Sequence, residues 1–185
     1  DGIDTDDGAI AVLSSGTLAT PKVLWHRTAA LFATARLAGE RLGIVPGERV
    51  LIAVPVHHLY GLGAGLLVAL LAGAEILLLP KADLMGFNDA LRGFAPRTTF
   101  ATPHLLRAVL QRKHAPIPGS ARVVSAGDAL PDALLAQARM CFGAVDNLYG
   151  SSELGVIAIG DPDDHAHGGP APLRPLRGVR LSLAD

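Results

Sequence analysis

Tyr149-Gly150-Ser151-Ser152-Glu153 puts an aromatic ring, two hydroxyls and a carboxylate in one short segment, directly after the apolar run Val145 to Leu148. The ring suits a purine. One carboxylate beside hydroxyls suits magnesium, which takes few protein carboxylates and completes its shell with water and phosphate oxygens. Far upstream, Ser14-Ser15-Gly16-Thr17-Leu18-Ala19-Thr20-Pro21-Lys22 combines hydroxyls, a glycine and a terminal cation. Oligophosphate binding asks for inward N–H groups, hydroxyl donors and positive charge. Gly16 permits close backbone approach, Ser14, Ser15, Thr17 and Thr20 offer hydroxyls, and Lys22 supplies a compact charge. This is not a Walker loop, because the second glycine and the Gly-Lys-Ser/Thr ending are absent. Such a turn also serves purely structural ends. Together the two segments predict a nucleotide-using enzyme of α/β type.

Two further segments lie between them. Pro55-Val56-His57-His58-Leu59-Tyr60-Gly61-Leu62 follows an expected strand, where open parallel sheets place their ligands. The histidine pair also reads as a strand-end cap. Ser125-Ala126-Gly127-Asp128-Ala129-Leu130 ends another expected strand in small residues, which lets a flat ring lie against backbone. A strand-to-helix turn with Asp128 near the helix start explains the same residues.

The elements that must hold these segments alternate. Strands are expected over Ala9 to Leu13, Val50 to Val54, Ile76 to Leu79, Thr98 to Ala101 and Val123 to Ser125. Helical spacing runs from His26 to Leu42 and stops at Gly43. A glycine-studded helix is expected after Tyr60, and shorter helices over Gly86 to Arg92, Pro103 to Gln111 and Pro131 to Phe142. The last two open on proline, which suits a first turn. This alternation predicts an α/β fold, a mostly parallel sheet with helices on both faces. Asp161 to Pro175 reads as a loop, and Val179 to Leu183 as one more strand. An ending inside a strand suggests a cut piece.

In their order, the four segments resemble those of the adenylate-forming superfamily of acyl- and aryl-CoA ligases. The family's phosphate loop reads Ser-Gly-Ser/Thr-Thr-Gly-x-Pro-Lys, and Ser15, Gly16, Thr17, Pro21 and Lys22 match it. Leu18 stands where a hydroxyl is usual and Ala19 where a glycine is usual. If that glycine position needs positive φ, alanine costs about 1–2 kcal/mol, and the lost charged hydrogen bond about 1.5–3 kcal/mol. The resemblance sets His58 on the histidine that borders the acyl and thiol channels, with His57, Tyr60, Gly61, Ser125 and Gly150 beside the substrate. It implies that Ala126, Gly127 and Asp128 frame adenine, that Tyr149 packs on it, that Gly150, Ser151 and Ser152 line the nucleotide with Ser152 at the phosphate, and that Glu153 holds Mg2+. Lys22, Ser152, Glu153 and His58 are then the catalytic set. ATP is the implied co-substrate, and coenzyme A or a phosphopantetheine acyl carrier protein the acceptor. Amino-acid-activating relatives keep an aspartate after the histidine stretch. None stands between His57 and Leu70, so a plain aryl or fatty carboxylic acid is expected. The resemblance covers only the middle of the family's large N-terminal domain. Residues 1–160 correspond to its AMP-binding core and 161–185 to a loop and the start of a β subdomain. The usual N-terminal subdomain, the ribose-binding aspartate and the C-terminal lid lysine fall outside the chain, which is expected to act as part of a larger protein. The rival is a degenerate, non-catalytic relative that binds nucleotide or acyl ligand, or scaffolds a partner.

Composition removes other classes. The 185 residues carry 16 basic and 17 acidic side chains, and aromatics are only 4%, so the clustered charge and stacking rings of a nucleic-acid binder are missing. The single Cys141 excludes an intrachain disulfide and points to a reducing cytoplasm. No signal-peptide pattern opens the chain; Asp1 to Asp7 reads as an exposed lead-in. Half the residues are hydrophobic and mean hydropathy is +0.37, so either a membrane segment is present or apolar faces pack on a missing partner. Leu59 to Pro80 has the length of a membrane span, but Gly73-Ala74 breaks it into helix and strand. Ser151 and Ser152 miss the Gly-x-Ser-x-Gly elbow of serine hydrolases because Leu154 fills the last glycine's place. Asp161, Asp163, Asp164, His165 and His167 form a weak metal-ligand pattern in an expected loop, His104 and His114 have no legible partner, and Gly61, Gly63 and Gly65 miss the dinucleotide spacing.

Overall fold

A computed structural model describes residues 8–14, 22–79, 84–111, 122–160 and 172–182. Asp1 to Asp7, the loop from Ser15 to Pro21, His114, the pattern from Asp161 to His167, and Leu183 lie outside the described residues. The chain opens with β1 (Ala9–Ser14), β2 (Lys22–Arg27) and α1 (Thr28–Leu42). Next come β3 (Arg49–Ile52), a π-helix (Tyr60–Leu67) that continues as α2 (Val68–Leu71), and β4 (Glu75–Leu78). Then follow α3 (Leu84–Gly93), β5 (Thr98–Ala101), α4 (Pro103–Leu110), β6 (Arg122–Ser125), α5 (Asp132–Phe142) and the strands β7 (Ala144–Ser151), β8 (Gly155–Gly160) and β9 (Leu173–Pro175).

β1 and β2 form a separate antiparallel ribbon, whereas the remaining strands make a seven-stranded sheet in the order β4-β3-β5-β6-β7-β8-β9. The strands from β4 to β7 run parallel, and β8 and β9 add on antiparallel. The chain winds first from β3 to β4, then returns to the other side of β3 for β5. That reversal is a topological switch point, and it opens a crevice at the carboxyl ends of β3 and β5.

Period-two alternation sorts the core onto two faces. Val50, Ile52 and Val124 pack with Leu31, Ala35 and Ala38 of α1 and Val68 of α2. Leu51, Ala53 and Val123 pack with Phe87, Leu106 and Phe142 of the helices opposite. Strands buried on both sides read as continuous apolar runs, which accounts for much of the high hydropathy. The apolar stretch from Leu59 becomes the π-helix, α2 and β4. Among the described residues, no helix is long and apolar enough to cross a membrane. α4 begins as read: Pro103 opens it, and the Thr102 hydroxyl caps it by accepting from Leu105 N at 3.3 Å.

Four local expectations are corrected. His26 and Arg27 belong to β2 rather than to the helix, because pairing of Arg27 with Ala9 and of His26 with Ile10 holds them extended. Tyr149, Gly150 and Ser151 are part of β7 and do not follow it, because β8 hydrogen-bonds alongside. Pro131 precedes α5 as its cap residue, and the helix starts at Asp132. Residues 179–182 are not a strand; the edge pairing goes instead to Leu173–Pro175, inside the expected loop.

The π-helix lies unusually close to β3 and the turn after it. A Cβ at Gly61 would sit 2.4 Å from the Pro55 carbonyl oxygen, and one at Gly65 3.1 Å from Ile52 Cγ2. Gly61→Ala is therefore expected to destabilise the fold by about 1–3 kcal/mol through forced overpacking. Gly93→Ala, where an added Cβ meets nothing within 4 Å, should stay within about 0.5 kcal/mol of the parent. Denaturant midpoints of the two variants measure the difference.

Candidate functional site

The crevice holds a cavity of about 350 Å³. Val54 and His58 enter it from the segment after β3, Thr102 from the end of β5, Ala126 and Gly127 from the end of β6, and Gly150 to Ser152 from β7 and its turn. Gly63 and Ala64 of the π-helix and Leu31, Thr34 and Ala35 of α1 close the other walls. Three of the four chemistry-bearing segments thus meet in one hollow.

Tyr60 fixes the geometry of the edge. Its hydroxyl donates to the Val124 carbonyl at 2.6 Å and lies 3.3 Å from the Ala101 carbonyl. Burial holds the phenol well above its ordinary value, so it keeps its proton and acts as a donor. The ring also stands edge-on to Phe100, with centroids 6.3 Å apart. Tyr60 is therefore a wall whose polar end is spent on the sheet. His57 and His58 are exposed at the rim with ring centroids 4.2 Å apart. Partial burial lowers the His58 pKa from its ordinary 6.5, and the like charge of His57 lowers it further.

The pairing with β8 shifts by one residue between Tyr149 and Gly150, with Ile157 as the extra residue on the β8 side. Leu148 and Gly150 face the cavity, while Tyr149 points out and is exposed. The Gly150 position is closed to any side chain, because a Cβ would lie 2.4 Å from the Gly155 carbonyl oxygen. In the turn beyond, Ser151 Oγ accepts from Leu154 N at 3.2 Å, which shapes the loop that presents Ser152 and the exposed Glu153. The β6–β7 register ends with Ser125 paired to Asn147, and Gly127 lies two residues beyond the end of β6. Gly127 has φ of +93°, a conformation natural to glycine, and Asp128 turns its carboxylate back onto Ala129 N at 2.7 Å.

The ribbon brings in the fourth segment. Ser14 ends β1 and Lys22 opens β2, paired with each other; Lys22 is exposed. Four residues along β2, His26 Nε2 lies 2.8 Å from the Ser152 carbonyl oxygen. A carbonyl only accepts, so Nε2 carries the proton and donates. The strand that carries Lys22 is thereby bonded to the turn that carries Glu153.

Among the expected site residues, His58, Tyr60, Ala126, Gly127, Gly150, Ser151 and Ser152 line the cavity. Ser14, Lys22, His57, Gly61, Ser125, Asp128, Tyr149 and Glu153 do not. Ser125 is fully buried and falls on the Val123 register, facing the opposite layer; Gly61 serves the close helix contact. Ser15, Gly16, Thr17 and Thr20 lie outside the described residues. Sequence reasoning missed His26, and it missed the walls from α1 and Gly63. Alternation of Lys22, Leu24 and His26 along one side was the available signal for β2.

Among the described residues no cluster of three metal-ligating side chains exists. A single exposed carboxylate, Glu153, beside the Ser152 hydroxyl fits an ion that takes its other ligands from phosphate and water. It does not fit a closed protein site. His26 Nε2 is bonded to the Ser152 carbonyl oxygen and not to either serine hydroxyl, so it does not serve as a hydrolase base there.

A doubly wound sheet with a mostly apolar crevice at its switch point, rimmed by hydroxyls and glycines, defines an α/β protein built for a small-molecule ligand. A family model described as AMP-binding enzyme matches residues 1–185. The 3-hydroxybenzoate/4-hydroxybenzoate–CoA ligase of Thauera aromatica is 29% identical over 187 aligned positions, covering 95% of this chain and 35% of that protein. The 4-coumarate–CoA ligase of Rhodobacter capsulatus is 35% identical over 180, covering 86% of this chain and 45% of that protein. In structure, the anthranilate CoA ligase AuaEII in complex with anthranoyl-AMP superposes with a TM-score of 0.84 at 26% identity, over 95% of this chain and 35% of that one. The chain belongs to the AMP-binding enzyme family, and it spans less than half the length of these relatives.

The rim histidines give a direct test. His58 should titrate below an ordinary histidine, and His57→Gln should raise its midpoint only in part, because desolvation is the larger cause. An imidazole NMR titration of both proteins reads this; a His58 midpoint at or above the ordinary value would contradict the rim geometry.

Proposed function

We propose that this chain is the nucleotide- and acyl-binding core of an AMP-forming acid–thiol ligase. Such an enzyme activates a carboxylic acid with ATP and passes the acyl group to the thiol of coenzyme A or a phosphopantetheine carrier protein. The observation that carries the reading is the cavity itself. Its described lining contains no Asp, Glu, Lys or Arg, while hydroxyls, glycines and a neutral-leaning histidine stand at its mouth. An uncharged hollow accepts an apolar acyl body and offers nothing to an ammonium group. The named acids of the relatives above, hydroxybenzoate, coumarate and anthranilate, favour an aryl carboxylate over a fatty one.

In this reading the acid's carboxylate oxygen attacks the α-phosphorus of ATP and pyrophosphate leaves. The thiol then attacks the acyl carbon and AMP leaves. Lys22 and the loop hydroxyls of Ser14, Ser15, Thr17 and Thr20 offset phosphate charge, and Ser152 donates to a phosphate oxygen. Glu153 would hold Mg2+, which supplies charge neutralisation when bound. The exposed Tyr149 ring and the Gly127–Asp128 backbone beyond the end of β6 frame the adenine. His58 stands where the acyl cavity meets the thiol's approach. The protein's share is positioning and electrostatics. Residues 1–160 form the core subdomain in this scheme, 161–185 lead into a β subdomain, and a lid from a larger protein completes the second half-reaction.

A second reading, a non-catalytic relative that keeps the ligand pocket, rests on Leu18 and Ala19 in the phosphate loop. ATP–pyrophosphate exchange on the polypeptide that carries this segment, scanned across aryl, fatty and amino acids, separates the two. Exchange with aryl acids is expected, falling roughly 100-fold or more in Lys22→Ala, since charged groups aimed at a transition state are commonly worth that much. No exchange with any acid, together with no ATP binding, would remove the enzyme reading.

A further inference from the structure

His26 takes no part in the scheme above, yet it makes the bond between the two charged segments. We propose that His26 is a positioning residue for adenylation: its Nε2–H bond to the Ser152 carbonyl locks the phosphate-loop ribbon onto the turn that carries Ser152 and Glu153. The inference rests on the ligase reading of the site and adds a part to it.

The ribbon needs such an anchor. It is two-stranded and separate from the main sheet, and a lone two-stranded ribbon is marginal in water. Ile10 and Val12 on its underside pack into the core cluster, but apolar contact is non-directional and permits sliding or rocking. Its outer side gives no hold, since Leu13 is 60% exposed and Trp25 71%. The hydrogen bond at 2.8 Å is directional and joins residues 126 positions apart in the chain. It grips the backbone of Ser152 and so leaves that residue's hydroxyl available.

Lever geometry shows what the bond controls. Lys22 lies four residues from His26 on one strand, about 13 Å at ~3.3 Å per residue. A rocking of about 5° at the anchor would carry Lys22 by roughly 1 Å, a displacement that costs catalysis about 100-fold when reacting groups must align. The bond also fixes the turn from its other side, where Ser151 Oγ already holds Leu154 N. Lys22 and Glu153 would then be set relative to each other through one imidazole.

The test compares His26→Phe, which keeps a ring and loses the donor, with His26→Gln, which keeps an N–H donor, in the polypeptide that carries this segment. ATP–pyrophosphate exchange and thermal midpoints are measured side by side. For His26→Phe with a native midpoint, kcat for exchange should fall roughly tenfold or more with little change in KM for the acid, and His26→Gln should recover to within about threefold of the parent. A folded His26→Phe with parental kcat overturns the latch, as does an equal loss in both variants, because an N–H donor at this position would then preserve nothing. Should His26→Phe fail to fold, His26→Gln decides alone: near-parental exchange supports the latch and a tenfold loss overturns it. A parent protein that neither binds ATP nor exchanges with any acid sinks the ligase reading and this proposal with it; the other adverse results sink the latch only.

Discussion

Buried backbone carbonyls demand donors, and with two lone pairs each can take a side-chain donor as well. Tyr60 answers that demand. Its phenol meets the carbonyls of Val124 and Ala101, and its ring closes over Phe100. The π-helix must therefore start at a set height above the sheet edge. That height is possible only because Gly61 has no side chain to strike the Pro55 carbonyl. The space left between helix and sheet edge is the cavity. Remove either condition and the helix would tilt away or settle onto the strands, and the hollow would change shape.

A second set of constraints places β7 and its turn. Gly150 and Gly155 approach so closely that neither tolerates change: one has no room for Cβ, and the other sits at φ +75°. Ordinary strand alternation turns Leu148 and Gly150 inward and sends Tyr149 outward, which divides an apolar wall from an exposed ring within one strand. α1 then covers the hairpin; a Cβ at Gly155 would meet Thr34 Cγ2 at 3.8 Å. The ribbon, α1 and the β7–β8 hairpin thus form one packed corner.

Much of this was legible in the residues. Thr98 to Ala101 reads as a strand and is one, and the helices after it fall within a residue or two of their expected bounds. These segments are buried on both faces or amphipathic, so local pattern and tertiary demand agree. β2 was hidden because Lys22–Arg27 runs without a break into a helical period, and only its pairing with β1 decides the boundary. β8 was hidden because Gly155–Gly160 is a uniform apolar run with no alternation, while β9 is too short for any pattern. The π-helix has no sequence period of its own. In the same way, the segments flanking the cavity were readable from residue type and order. The walls from α1 and the His26 bond depend on contacts distant in the chain.

The distribution of charge follows from this architecture. A charged side chain buried without a partner is costly, and the described cavity wall has none. Lys22 and Glu153, the two charges assigned to phosphate and metal, are both exposed and outside the cavity lining, where water solvates them until a ligand arrives. For the proposed reaction this separation sorts the ligand's two ends. A polyanion finds opposite charge only outside the described lining, and an uncharged ring gains by leaving water in the interior. An acid with its carboxylate at one end and its apolar body at the other can satisfy both regions in one orientation. That orientation carries the carboxylate outward, to the border where the phosphates would lie.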